Sequence, residues 1–265
     1  MSVSNLLVED AGPIRRITLN RPEKLNALDS DLVEALSEAL GEAADHPDVR
    51  VIVIAGAGRS FCAGYDLSEE AGPGSTLDNL THSLDRLLEI FDHPRPIIAQ
   101  VHGHCLAGGC DLMMMCDLAV TSDDAVFGQP EIRFGSTVVA QVMPWLIGAR
   151  RAKELILTGH DRLDAFEAHR IGLVNRVVPR ADLEEETMRL AGELAVVDPA
   201  VMTLTKRALN RSWEVAGFRK ALIEGVRLGS EIESARVPER EEFDRIAADS
   251  GLKEAIRWRD RRFEG

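Results

Sequence analysis

Apolar residues recur along this chain in two alternating periods, and the alternation predicts its architecture. Leu6 to Val8 and Ile14 to Leu19 are short β-type runs separated by Ala-Gly-Pro, which predicts an opening hairpin ahead of the turn Asn20-Arg-Pro-Glu-Lys24. Leu32, Leu36 and Leu40 follow at helical spacing behind Asp29, a residue suited to cap a helix N-terminus. Val49-Arg-Val-Ile-Val-Ile-Ala55 is almost continuously β-branched and predicts a strand buried on both faces. Ser68 to Gly74 is polar and rich in glycine and proline, a composition that predicts a mobile loop. An amphipathic helix over 77–91, a strand over 96–101, a helix from Gly108 to Met115 and a strand over 118–121 continue the series. The first two-thirds therefore reads as repeated strand and helix units of an α/β protein. Beyond Val138 the pattern turns helical, interrupted by Gly172-Leu-Val-Asn-Arg-Val-Val178. From Lys206 to Phe263 charges alternate with sparse apolar anchors, Leu209, Trp213, Phe218, Leu222, Ile223 and Val226, a pattern that covers a neighbouring surface.

Composition narrows the class. With 265 residues, 45% of them hydrophobic, the chain can form one large domain or one domain with a helical appendage. A formal charge of −13 opposes attraction to nucleic acid or to anionic lipid, so a polyanionic ligand has to meet locally placed cations. Cys62, Cys105, Cys110 and Cys116 lie in apolar surroundings without a Cys-x-x-Cys, which predicts packed, reduced thiols and a reducing compartment. The first ten residues carry no basic leader, and no apolar stretch reaches about 18 residues; a cytoplasmic protein without membrane spans is expected.

Several familiar chemistries are excluded by their motifs. Ile54-Ala-Gly56-Ala-Gly58 sets Gly-x-Gly after a strand, but Phe61 stands where a dinucleotide fingerprint needs its third glycine. Phe61-Cys-Ala-Gly64-Tyr-Asp66-Leu67 reads instead as a second tight turn. There is no Gly-x-Ser-x-Gly, P-loop or His-Glu-x-x-His. His102-Gly-His104 has no third ligand, so packed or hydrogen-bonded histidines are expected rather than a metal pair. The basic clusters at 150–153 and 257–262 are interleaved with acids and read as solvated helix faces.

What remains is a pair of glycine turns and a pair of acids. Gly64-Tyr65 and Gly108-Gly109 let the backbone approach a ligand, and free peptide N–H groups there can cradle an oxyanion, aided at Gly108 by a helix N-terminus. Either turn alone reads as ordinary structure; both together, each beside a carboxylate, point to function. Asp111 follows one turn and Glu131 lies twenty residues on, behind Pro130 and among Phe127, Ile132 and Phe134. A carboxyl in such apolar company has a raised pKa suited to general acid–base work.

Taken together, Asn20-Arg-Pro-Glu-Lys-Leu-Asn-Ala-Leu28, Phe61-Cys-Ala-Gly-Tyr-Asp-Leu67, His102-Gly-His-Cys-Leu-Ala-Gly-Gly-Cys-Asp111, Cys116-Asp117, Phe127-Gly-Gln-Pro-Glu131 and the run from Ala165 to Gly172-Leu-Val resemble the crotonase (enoyl-CoA hydratase/isomerase) family. The resemblance implies a crotonase-like spiral of ββα units over 1–200 and a C-terminal helical assembly region over 201–265. It also implies a homo-oligomer, trimer or dimer of trimers, and an acyl-CoA thioester substrate bound without metal or redox cofactor. Carried over by position, the oxyanion hole would be the N–H groups of Tyr65 and Gly108. Lys24, Ala63, Asp66 and Leu67 would line the CoA nucleotide and pantetheine. Asp111 and Glu131 would position and deprotonate a water, with Glu131 delivering a proton to the α-carbon.

Two departures qualify the implied enoyl-CoA hydratase, a hydro-lyase. Hydratases usually carry glutamate where this chain has Asp111, and one missing methylene withdraws the carboxylate by about 1.5 Å. Dienoyl-CoA isomerases do carry aspartate there but add an acid eight positions after the glutamate, where this chain has Val139. Gly135-Ser-Thr-Val-Val-Ala-Gln-Val-Met-Pro144 lacks the usual glycine-rich run, which implies a narrower or drier acyl pocket. Tyr65 replaces the commoner alanine, but its donor is a main-chain N–H, so the hole is expected to survive. Double-bond isomerisation by Glu131, or acyl-CoA binding without chemistry, are the competing readings.

Overall fold

The computed structural model describes residues 4–69, 74–235 and 237–263; positions 70–73 of the predicted mobile loop and the first three residues lie outside the described residues. In chain order the elements are β1 (Leu6–Ala11), β2 (Ile14–Leu19), α1 (Ser30–Asp45), β3 (Val51–Gly56), α2 (Thr76–Asp92), β4 (Ile97–Val101), β5 (His104–Leu106), α3 (Gly108–Met115), β6 (Leu118–Ser122) and β7 (Val126–Gly128). There follow α4 (Met143–Ile147), α5 (Ala149–Leu157), β8 (Leu163–Asp164), α6 (Ala165–Arg170), β9 (Arg176–Val178) and α7 (Leu183–Ala195). Last come α8 (Pro199–Ala216), α9 (Phe218–Ser234), α10 (Pro238–Ser250) and α11 (Leu252–Arg261).

The predicted hairpin forms, with Leu6 opposite Leu19, and β2 then leads a parallel series that gives the order β1-β2-β3-β4-β6-β9. β3 is buried on both faces as its composition predicts. Ile52 and Ile54 enter the main core with α1 and α2, whereas Val51 and Val53 pack with Leu183, Leu190 and Ala191 of α7. Asp29 caps α1, its Oδ1 accepting the Leu32 N–H at 2.9 Å. A second sheet, β5-β7-β8, was not foreseen; its strands are only two or three residues long and carry almost no periodic signal.

Gly103 turns the chain from one sheet into the other. Its φ is +55° and a Cβ there would stand 2.1 Å from the Arg59 carbonyl oxygen, so only glycine fits. The two flanking histidines both point back at the 58–60 turn: His102 Nε2 bonds the Gly58 carbonyl at 3.0 Å, and His104 Nδ1 meets the Ser60 hydroxyl at 3.1 Å. Among the described residues no group of three or more His, Cys, Asp or Glu is placed to hold a metal ion. All four cysteines are free.

The C-terminal anchors divide between two surfaces. Phe218, Leu222 and Val226 are buried on this chain, and Phe218 joins Phe91, Trp145 and Trp213 in an aromatic cluster beneath α8 and α9. Leu209 and Ile223 face outward with Val201, Leu204 and Val215. α10 and α11 pack on the 3-10 turn Glu131–Phe134, where Phe134 and Phe243 stack with centroids 5.0 Å apart. The expectation of solvated arginines over 257–262 needs correction at Arg259. Its side chain is 12% exposed and reaches Asp161 at 3.4 Å, while Asp161 also pairs with Arg133 at 3.2 Å. No helix among the described residues is long and apolar enough to cross a membrane.

Candidate active site

Two glycine turns are pressed together at the N-terminus of α3. A Cβ on Gly64 would lie 2.7 Å from the Ala107 Cβ and 3.2 Å from the Gly108 nitrogen, while one on Gly108 would lie 2.6 Å from Cε2 of Tyr65. Gly109 approaches as closely, its Cβ position only 2.4 Å from the Cys62 carbonyl oxygen. Ala107, which caps α3, is held at φ +51°, a conformation that L-residues rarely adopt. The parallel bridge between Leu28 and Tyr65 uses the Gly64 carbonyl and the Asp66 N–H, so the Tyr65 N–H turns away from it. Among the described residues no acceptor takes the N–H of Tyr65 or of Gly108. Two free donors thus meet at the positive end of a helix, an arrangement that stabilises developing negative charge on oxygen.

The two acids lie in one buried neighbourhood with Tyr65. Asp111, in the first turn of α3, is fully buried; Gln129 Nε2 donates to its Oδ1 at 2.9 Å and the Ala140 N–H to its Oδ2 at 3.2 Å. Burial pushes its pKa up to about 7, moderated by those two donors. Glu131 opens the 3-10 turn and is 7% exposed, and its Oε2 is buried without a partner. Burial first, then the charge of Asp111, hold its pKa well above the usual carboxylate range. The Tyr65 phenol is raised too, by burial and then by Asp111, with Glu131 contributing, which places all three side chains in one neighbourhood. At neutral pH the pair therefore shares its protons unequally. Asp111, with two donors, is the better anion, and Glu131, with none on Oε2, is the better proton carrier.

Glu131 is held from two directions. Its carbonyl accepts the Ser136 N–H at 3.0 Å, and Gly135, at φ +70°, packs so tightly on α10 that a Cβ would meet Val237 at 2.5 Å. Glu233 of α9 accepts from the Ser136 hydroxyl and from the Thr137 N–H at 3.0 Å, pinning the segment that leads to Ala140. The Arg259-Asp161-Arg133 chain secures the other side of the turn.

Of the four residues expected at the CoA flank, Lys24 and Asp66 stand together. Asp66 accepts from Arg21 at 2.9 Å and from the Ser68 hydroxyl at 2.6 Å, and Lys24 Nζ stands 3.7 Å from it and 2.9 Å from the Ser68 oxygen. Burial opposes ionisation of Asp66, but Ser68, Arg21 and Lys24 outweigh it and bring its pKa to about 2. Asp66 is thereby a tether for its loop. Lys24, with a half-exposed side chain, supplies a local cation in an acidic protein. Ala63 donates its N–H to the Leu25 carbonyl at 3.1 Å, and Leu67 is exposed. Gln129 and the Ala140 N–H were not foreseen. Gln129 is signalled only by being a polar residue inside the buried run Phe127-Gly-Gln-Pro130, and the Ala140 amide by nothing in the sequence.

A sequence profile of the family described as enoyl-CoA hydratase/isomerase matches residues 9–237, and the chain belongs to that family. A short-chain-enoyl-CoA hydratase of Clostridium acetobutylicum is 36% identical over 222 residues, covering 81% of this chain and 84% of the relative. A crotonyl-CoA hydratase of Syntrophomonas wolfei is 34% identical, covering 86% and 90%. The crystal structure of an enoyl-CoA hydratase/isomerase from Xanthobacter autotrophicus Py2 superposes with a TM-score of 0.95 at 39% identity over 100% of both chains. The fold is the crotonase fold, with its C-terminal helical region.

Asp111→Asn separates charge from packing. The new side-chain oxygen can keep the Ala140 N–H, and the new amide nitrogen can donate to Gln129 Oε1, which is buried and unpartnered in the wild type, once the glutamine amide flips. Since the folded-state pKa of Asp111 is raised from 3.8 to about 7, the native state binds more protons than the unfolded one between those values, and Asp111 destabilises increasingly as pH rises through them. The variant is expected to melt above wild type at pH 8, with the difference vanishing near pH 4. Its hydration rate is expected to fall by about 10²-fold or more. Paired melting curves and steady-state rates check both; a lower Tm at pH 8 counts against the assignment.

Proposed function

We propose that the chain is an enoyl-CoA hydratase that adds water across the 2,3 double bond of a 2-enoyl-CoA thioester. The observation that carries this reading is the proximity of two free amides and an anchored Asp111 at one helix N-terminus to Glu131, whose buried Oε2 has no partner. The thioester oxygen accepts the N–H groups of Tyr65 and Gly108. Asp111, which keeps carboxylate lone pairs beyond those used by Gln129 and Ala140, takes a proton from water as the water oxygen bonds to the β-carbon. The electron pair of the double bond moves through the α-carbon onto the thioester oxygen as an enolate, and the two N–H groups stabilise this charge more than the ground-state carbonyl. Glu131 then gives its proton to the α-carbon, leaving a 3-hydroxyacyl-CoA. A proton passing from Asp111 to Glu131 resets the pair. The reaction as drawn uses groups of the chain, one water molecule and the enoyl-CoA substrate.

Lys24, Ala63, Asp66 and Leu67 form the CoA edge in this reading, with Lys24 as a phosphate partner. Residues 1–200 carry the chemistry. The helices after 200 present an outward apolar face, including Val201, Leu204, Leu209 and Ile223, that suits a trimer or a dimer of trimers. Free thiols favour a reducing, cytoplasmic setting.

Mixing the protein with crotonyl-CoA and following the conjugated thioester absorbance tests the activity. Turnover well above an Asp111→Ala, Glu131→Ala double variant is expected. Deuterium movement along a 3-enoyl-CoA without water addition would instead select an isomerase, and tight binding without α-proton exchange in deuterated water would select a non-catalytic acyl-CoA binder.

A further inference from the structure

The last helices supply no reacting group, yet two of their charges reach the turn that carries Glu131. On one side the Glu131 carbonyl accepts the Ser136 N–H at 3.0 Å, and Glu233 of α9 accepts in turn from the Ser136 hydroxyl and from the Thr137 N–H at 3.0 Å. On the other side Arg133, two residues past Glu131, bonds Asp161 at 3.2 Å, and Arg259 of α11 reaches the same carboxylate at 3.4 Å. The Glu233 and Arg259 side chains are only 19% and 12% exposed, so water screens their charges little. Burial and then the Asp111 charge dominate the raised pKa of Glu131; behind them a backbone hydrogen bond and Arg259 lower it, and Glu233 raises it. The nearby Tyr65 phenol is held neutral by burial. The remaining charges packed on the turn have partners of their own: Arg240 of α10 meets Asp244 at 3.0 Å as well as Glu233 at 3.7 Å, and Arg262 of α11 meets Glu239 at 3.2 Å.

We propose that Glu233 and Arg259 are positioning residues for hydration: with opposite charges they clasp the Glu131 turn from its two sides and hold its acid ready for the α-carbon. This deepens the hydratase reading and rests on it. Glu131 works with its proton on, so hydration is lost as pH rises through the titration of this acid. Without the Glu233 charge the Glu131 anion forms more readily, and Arg240, released from Glu233, favours the anion further. Without the Arg259 charge the anion forms less readily, and Asp161 and Asp260, which Arg259 balances at 3.4 and 2.7 Å, oppose it further. The two removals therefore displace the alkaline limb of the rate profile in opposite directions. Loss of a strut alone would not do so.

The test is kcat for crotonyl-CoA hydration as a function of pH in wild type, Glu233→Gln, Glu233→Ala, Arg259→Gln and Arg259→Lys, each with a melting curve. Both glutamines keep the hydrogen bonds within reach: the one at 233 can accept from Ser136 and Thr137, and the one at 259 can donate to Asp161. The alkaline limb is expected to move to lower pH in Glu233→Gln and to higher pH in Arg259→Gln, while Arg259→Lys, which keeps the charge, keeps the wild-type limb. Glu233→Ala, which also removes the acceptor, is expected to lose about tenfold or more in kcat at its optimum with little change in KM. Each folded variant decides by itself. A limb that stays in place in either glutamine variant, or moves the same way in both, overturns the proposal, as does an Arg259→Lys limb displaced like that of Arg259→Gln or a Glu233→Ala enzyme as active as wild type. Failure of folded wild type to hydrate crotonyl-CoA or a longer 2-enoyl-CoA overturns the hydratase reading itself, and the proposal with it. An active wild type whose limbs stay fixed in the variants removes the proposal alone.

Discussion

Replacing Glu131 with glutamine is expected to lower kcat for crotonyl-CoA hydration by roughly 10³-fold while KM changes little, because a positioned acid contributes on the order of 10²–10⁴ and the amide has no proton to deliver. The substitution is nearly isosteric, so Phe134, Gly135 and α10 keep their packing. Two features single out this acid over Asp111 as the proton carrier. Glu131 Oε2 is buried with no donor, and burial first, then the neighbouring Asp111 charge, outweigh the backbone hydrogen bond and the Arg259 charge that favour its anion. Steady-state rates and a melting curve on the same preparation decide the matter. A folded Glu131→Gln enzyme within tenfold of wild type would show that the α-carbon receives its proton elsewhere.

Gly64→Ala should be nearly as damaging, by a different route. Gly64 has φ +100°, and its Cβ would press on the Ala107 Cβ at 2.7 Å and on the Gly108 nitrogen at 3.2 Å. The first contact forces apart the two turns whose amides form the hole; the second pushes on one of the donors itself. Loss of one aligned oxyanion donor costs about 10²–10³ in kcat, and the disfavoured backbone adds about 1–2 kcal/mol of instability. Gly172→Ala separates the two costs. Its φ is +86°, yet nothing lies within 4 Å of its Cβ position, so it bears the backbone penalty with no effect on the hole. Both variants are expected to melt below wild type, Gly64→Ala further because of its contacts, with activity lost only in Gly64→Ala. Equal activity in both variants would mean that the hole tolerates the displacement.

The long, strongly patterned elements were legible from residue order. β3 reads as doubly buried because its run is unbroken, and α3 begins at Gly108 as its glycines and Asp111 suggest. β5, β7 and β8 were hidden because two or three residues carry too little periodicity, and their pairing joins segments dozens of positions apart. The same contrast holds at the site. Glycine beside acid flagged both turns and both carboxylates, and resemblance assigned them parts. Gln129 and the Ala140 amide escaped notice because an anchor for Asp111 is defined by where chains cross, not by residue type. Arg259 was misread for that reason: in sequence it is one of several arginines on an amphipathic helix, and only the fold brings it to Asp161.

That long-range tie bears on when the protein becomes competent during its synthesis. The turn bearing Glu131 leans on Val237, Phe243 and Arg259, all translated more than a hundred codons later. A nascent chain that has folded its central sheet still lacks the struts for its proton donor until the final helices emerge from the ribosome. Premature termination near residue 235 would thus leave a polypeptide able to assemble both amides of the hole yet unable to hold its acid in place.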